Sequence, residues 1–64
     1  MKFKVGDYVR VIDNAKGTAW EYGKIMDINK QGALIGYGSK VMPDYWRIYG
    51  GHVRVPLNRL EKGD

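Results

Sequence analysis

Tyr45, Trp46 and Tyr49 fall within five residues, with Arg47 among them and Lys40 a few positions upstream. Aromatic rings offer faces on which nucleobases stack, while lysine and arginine neutralise phosphates. Trp20 and Tyr22 stand in a similar mixture with Lys16 and Lys24, and Arg54 follows in a later alternating segment. Such a mixture suits binding, and stacking is worth about 1–3 kcal/mol per base. The expected site is therefore Lys24, Lys40, Tyr45, Trp46, Arg47 and Arg54, with Trp20, Tyr22, Tyr49 and His52 as secondary candidates. The competing reading is that Trp20 or Trp46 completes a small core, with its indole N–H bonded at the rim.

The same composition gives little to catalysis. The chain has one histidine, no cysteine and seven acidic residues scattered through turn-like and strand-like segments. No nucleophile, base and acid stand in a recognisable spacing. His52 follows Gly51 at the start of a strand-like run and is expected to face solvent. A lone histidine is a poor ligand set, so no metal is expected. The nine glycines are dispersed and form no phosphate-cradling loop, and no cofactor is expected.

Sixty-four residues make one domain, 1–64, which buries only about 60% of its unfolded surface. Without cysteine neither disulfides nor a thiolate metal site can staple it, so stability rests on packing, with a homo-oligomer open as a further support. The net charge of +4 favours anionic partners, although the charges are spread along the chain rather than blocked together. No segment reads as a signal peptide or approaches the roughly 20 apolar residues of a membrane span. The expectation is a cytoplasmic protein with no membrane association.

Positioning the candidates falls to short strands. Phe3, Val5, Val9 and Val11 lie on one side of an alternating run broken by Gly6-Asp7. Residues 13–18 are turn-rich. Residues 22–28 read as a second strand in which Ile25 and Ile28 are three apart, so a bulge or strong bend is expected. Asn29-Lys30-Gln31-Gly32 reads as a hairpin turn and residues 33–37 as a third strand, where Gly36 and Gly38 permit curvature or close approach of another backbone. Residues 39–51 are too long and too aromatic for a tight hairpin. Pro43-Asp44 suits the opening of a helical turn ended by Gly50-Gly51, and an extended hairpin arm over Tyr45 to Tyr49 fits equally. Residues 52–55 form a fourth strand, with Val53 and Val55 inward and His52 and Arg54 outward. Pro56 ends it, residues 56–59 suit one 3₁₀ turn, Leu60-Glu61 a brief fifth strand, and residues 62–64 a frayed end.

Val5-Gly6-Asp7-Tyr8-Val9-Arg10-Val11 at one end and Val53-Arg54-Val55-Pro56-Leu57 to Leu60-Glu61 at the other, with this order of elements, resemble SH3-like barrels. The resemblance implies an all-β fold: a single five-stranded barrel with an extended loop between strands 3 and 4 and a short 3₁₀ turn before the last strand. Within that fold, Gly6-Asp7-Tyr8-Val9-Arg10, Gly17-Thr18-Ala19-Trp20 and Gly23-Lys24-Ile25 are similar to the plasmid-encoded type II dihydrofolate reductases, tetramers with one central pore. That family has Val-Gln-Ile-Tyr before its proline, where this chain has Val53-Arg54-Val55, and a lysine where this chain has Asn14. Four arginines around a pore axis would repel one another. The likeness is therefore read as shared scaffold.

Three functions remain in order. The first is a non-enzymatic module binding nucleic acid through phosphate contacts and aromatic stacking, with little sequence specificity because no base-reading helix is expected. The second is a protein-binding module, an adaptor or small inhibitor, using the 39–51 insertion, since tyrosine, tryptophan and arginine are also the usual anchors of interfaces. The third is the reductase.

Overall fold

The computed structural model describes residues 3–18, 20–38, 41–42 and 44–63. Five strands form one antiparallel sheet: β1 (Tyr8–Val11), β2 (Tyr22–Asn29), β3 (Gly32–Tyr37), β4 (His52–Val55) and β5 (Leu60–Lys62). A short helix, α1 (Tyr45–Tyr49), precedes β4, and a 3₁₀ turn over Leu57–Arg59 precedes β5. The strand order is β4-β3-β2-β1-β5. β4 and β5 are thus the edges of an open sheet, and hydrogen bonding does not close the expected barrel.

Alternation sets the two faces. Val9 and Val11 of β1, Ile25 of β2, Ala33 and Ile35 of β3, Val55 of β4 and Leu60 of β5 meet as one core, joined by Phe3 and Tyr37. Each fully buried aliphatic side chain contributes about 1.5–3 kcal/mol. The irregularity expected from the spacing of Ile25 and Ile28 is present. The β2–β3 register shifts between Ile25 and Asp27, which returns Ile28 to the core side, opposite Ala33. The turn at Lys30-Gln31 is closed by the Asn29–Gly32 pair, and the Gln31 N–H donates to Asn29 Oδ1 at 2.8 Å.

Three expectations are corrected. Val5 is 60% exposed, because Gly6 takes φ +96° and the chain turns between Lys4 and Asp7 before β1 begins. Val53 lies on the core side opposite Ile35 yet is 51% exposed, because β4 is an edge and nothing beyond it covers that side. Lys62 is not frayed. It pairs with Val9 in β5, and the Gly63 N–H donates to the Tyr8 carbonyl at 3.0 Å. Asp64, expected to fray with it, lies outside the described residues.

Within 39–51 the helical alternative is the one taken. α1 runs over the aromatic run, and Gly50 and Gly51 at φ +78° and +109° end it. Asp44 occupies the N-cap without a side-chain cap, α1 buries none of its residues, and Pro43 lies outside the described residues. A helix this short is not stable alone. It is held by where its rings rest.

Ion pairs tie the ends of the chain together. Arg10 Nε donates to Glu21 at 2.8 Å and its Nη1 to Glu61 at 2.7 Å, while the Gly17 N–H donates to Glu21 at 2.9 Å. Lys62 reaches Asp7 at 2.6 Å, and the Lys4 N–H reaches the same oxygen at 3.0 Å. The Arg10 and Gly17 donors hold the Glu21 carboxyl below its ordinary 4.5, and the Lys62 and Lys4 donors hold Asp7 below its ordinary 3.8. Both folded values lie under the unfolded ones, so this stabilisation is complete above about pH 4.5 and is lost as pH falls through the depressed values. The melting temperature is expected to be level from about pH 5 to 7 and to fall below about pH 4.5, with a shallower fall in Glu21→Gln. Thermal melts followed by circular dichroism across that range test it. An unchanged acid slope in the variant would remove Glu21 from the account.

Candidate functional site

The sheet's outer face is built from the residues that alternate with the core. Register places Tyr8 opposite Lys24, Lys24 opposite Gly36, and Gly36 opposite His52, a single row across β1, β2, β3 and β4. Residues directly opposite one another share a face. Gly36 leaves a bare patch in that row, and the Trp46 indole of α1 occupies it. A Cβ at Gly36 would stand 2.9 Å from the indole Cδ1 and Nε1. His52 meets the same indole edge to face, with ring centroids 6.0 Å apart, and Arg47 holds its guanidinium carbon 5.4 Å from the indole centroid. Beside Lys24, the Tyr8 and Tyr22 rings stack in parallel, 5.5 Å between centroids and 5° between planes.

The face thus gathers Lys24, Trp46, Arg47, His52 and Tyr22 from the expected site, and adds Tyr8 and Gly36. Tyr8 already stood on the wet side of its strand by alternation. Which ring would cover Gly36 was not readable, because it depends on the path of α1.

Arg54 lies on the same face but is engaged within the fold. Its Nη1 donates to Asp27 at 3.0 Å and to the Gly32 carbonyl at 3.3 Å. Asp7, Asp13, Glu21, Asp27 and Glu61 are likewise all ion-paired, to Lys62, Arg59, Arg10, Arg54 and Arg10. Lys24, Lys30 and Arg47 have no carboxylate partner among the described residues. Lys40 lies outside the described residues.

The remaining expected rings sit elsewhere. Trp20 packs against Gly51 and meets Tyr37 and Tyr45 edge to face at 5.4 and 5.6 Å, and Tyr45 meets Tyr49 at 4.8 Å. This second cluster borders an open groove of about 350 Å³ on the core side of the β4 edge, lined by Asn14, Ala15, Thr18, Trp20, Tyr37 and Val53. Asn14 fixes its wall, donating to the Trp20 carbonyl at 2.7 Å and to the Tyr37 hydroxyl at 3.3 Å. Trp20 remains 41% exposed there.

Among the described residues, no three histidine or acidic side chains gather as a metal site, and no helix is long and apolar enough to cross a membrane. No protein-family model, curated protein or solved structure matches the chain. What the fold defines is a small antiparallel β-domain with a cation-bearing aromatic face on one side and an apolar groove on the other.

Proposed function

We propose that this domain is a non-enzymatic module that binds nucleic acid on the outer face of its sheet, and that the sheet is of the SH3-like type. The observation that carries the reading is that two cations without carboxylate partners adjoin the Trp46 indole seated on Gly36: Lys24 is the register partner of Gly36, and Arg47 holds its guanidinium carbon 5.4 Å from the indole centroid. Cations of this kind meet phosphates, and the rings beside them meet bases. Among the described residues, five of the six acids are ion-paired, with Asp44 the exception, so most of the unpartnered charge is carried by lysine and arginine. Arg54 is assigned to the fold, because Asp27 and the Gly32 carbonyl already hold it.

The test is a titration of labelled oligonucleotides at low salt. Lys24→Glu combined with Arg47→Glu is expected to weaken binding at least about tenfold, since two phosphate contacts are lost and two repulsions introduced. Arg54→Gln is expected to stay within about twofold while lowering the melting temperature. Undiminished binding in the double variant would reject the site.

A second reading is favoured by a separate observation. Val41, Ile48 and Tyr49 of the 39–51 segment are exposed, and Trp20 and Val53 line the groove beside it. Aliphatic side chains offer nothing to phosphates, whereas exposed apolar patches mark protein interfaces. That reading makes the domain an adaptor or inhibitor whose complex is insensitive to salt and lost in Trp20→Ala.

A further inference from the structure

We infer that the outer face takes a single strand of nucleic acid lying across the β-strands, with a phosphate at Lys24 between one base stacked on Trp46 and another stacked on Tyr22, which the Tyr8 ring backs. The inference rests on the nucleic-acid reading above and names its substrate class.

The row of register partners supplies the spacing. Tyr8, Lys24 and Gly36 are consecutive across β1, β2 and β3, and Tyr22 stands two residues from Lys24 on β2, so Lys24 adjoins both the Tyr22 ring and the indole that rests on Gly36. Neighbouring strands are about 4.8 Å apart and two residues along a strand span about 6.8 Å, which separates the Tyr22 and Gly36 positions by about 8 Å. Bases in a duplex follow one another every 3.4 Å along the axis and show their faces only to each other. Platforms more than twice as far apart are filled by bases that are unpaired and splayed, the form in which single strands are read by aromatic surfaces. α1 cannot supply a duplex alternative, because a five-residue helix extends only about 7.5 Å and has too few positions to read a major groove.

Magnitudes point the same way. Each stacked base is worth about five- to 150-fold in affinity. Lys24 and Arg47 alone make two phosphate contacts, a slope of about −1.4 in log affinity against log salt for a single strand, or about sevenfold between 50 and 200 mM. Two such contacts hold a duplex weakly, so stacking decides the preference.

The experiment is a fluorescence-anisotropy titration of the intact chain with three labelled probes of equal length: an oligothymidine 12-mer, the same backbone with abasic sites throughout, and a 12-base-pair duplex, each at about 50 and 200 mM salt. The expected result is that the thymidine strand binds at least about tenfold more tightly than either other probe and loses about sevenfold over the salt step. Tyr22→Leu, which keeps an apolar side chain on the sheet, should weaken the thymidine strand at least about fivefold, the loss of one stacked base, while leaving the abasic probe unchanged. Equal binding of thymidine and abasic strands, or of strand and duplex, overturns the inference while sparing the nucleic-acid reading. Absence of binding to all three probes at low salt overturns both and leaves the protein partner.

Discussion

Gly32→Ala is expected to lower the melting temperature by more than about 12 °C and to leave a measurable unfolded fraction at room temperature. Gly32 opens β3 at φ +132°, a conformation costing an L-residue about 1–3 kcal/mol. A Cβ there would also collide with the Val55 carbonyl oxygen, standing 2.7 Å from the carbonyl carbon and 2.9 Å from Pro56 Cα. These are backbone atoms at the end of β4, held by the Ala33–Val55 pair, so they cannot swing aside as a side chain would. Relief requires β4 to separate from β3, which also breaks the Arg54 bond to the Gly32 carbonyl. The combined cost is at least about 3 kcal/mol, against roughly 3–10 kcal/mol of total stability for a chain this size. Gly17→Ala is the internal control. Gly17 has φ +80° but nothing within 4 Å of its would-be Cβ, so it carries the strain without the collision. Thermal melts of the two variants should differ by several degrees. Equal melts would show that the close approach of Val55 to Gly32 is not part of the fold.

Which segments were legible in the sequence follows from what each signal encodes. Ile25 and Ile28 at a spacing of three required a break in alternation, and the bulge is where that spacing put it. Pro56 cannot donate to a ladder, and β4 ends one residue before it. Alternation also assigned Val5 and Val53 to the inner side, and there it failed as a guide to burial. Period 2 says which way a side chain points, while burial depends on what lies opposite. Gly6 turns Val5 off the sheet, and β4 has no neighbour beyond Val53. The candidate site divided for a similar reason. Composition placed Tyr45, Trp46 and Tyr49 in one group, but helical geometry puts Tyr45 and Tyr49 four residues apart on one side and Trp46 on another. Tyr45 and Tyr49 therefore join the Trp20 cluster, and Trp46 joins the sheet's outer face. The two glycines that receive the indoles, Gly36 and Gly51, were visible as glycines but not as seats.

Gly36→Val separates the binding face from the fold that carries it. A branched side chain at Gly36 occupies the position of the indole pyrrole ring, so Trp46 must leave, and α1 loses its contact with the sheet. The fold itself should tolerate the change. Gly36 lies in a strand without a positive φ, and valine favours strands over glycine by about 1 kcal/mol, which offsets part of the packing lost when the half-buried indole leaves Gly36. The expected melting temperature is within about 8 °C of the wild type. Binding of the single-stranded probe, in contrast, should fall at least about fivefold, the loss of one stacked base. In a Trp20→Phe background, emission from Trp46 should shift to the red as the indole enters water. Unchanged affinity would mean that the indole on Gly36 contributes nothing to binding, and the strand would have to be held without a base stacked on Trp46. A melting temperature far below the wild type would mean instead that the outer face supports the core, because β3 would then need the indole to hold its place between β2 and β4.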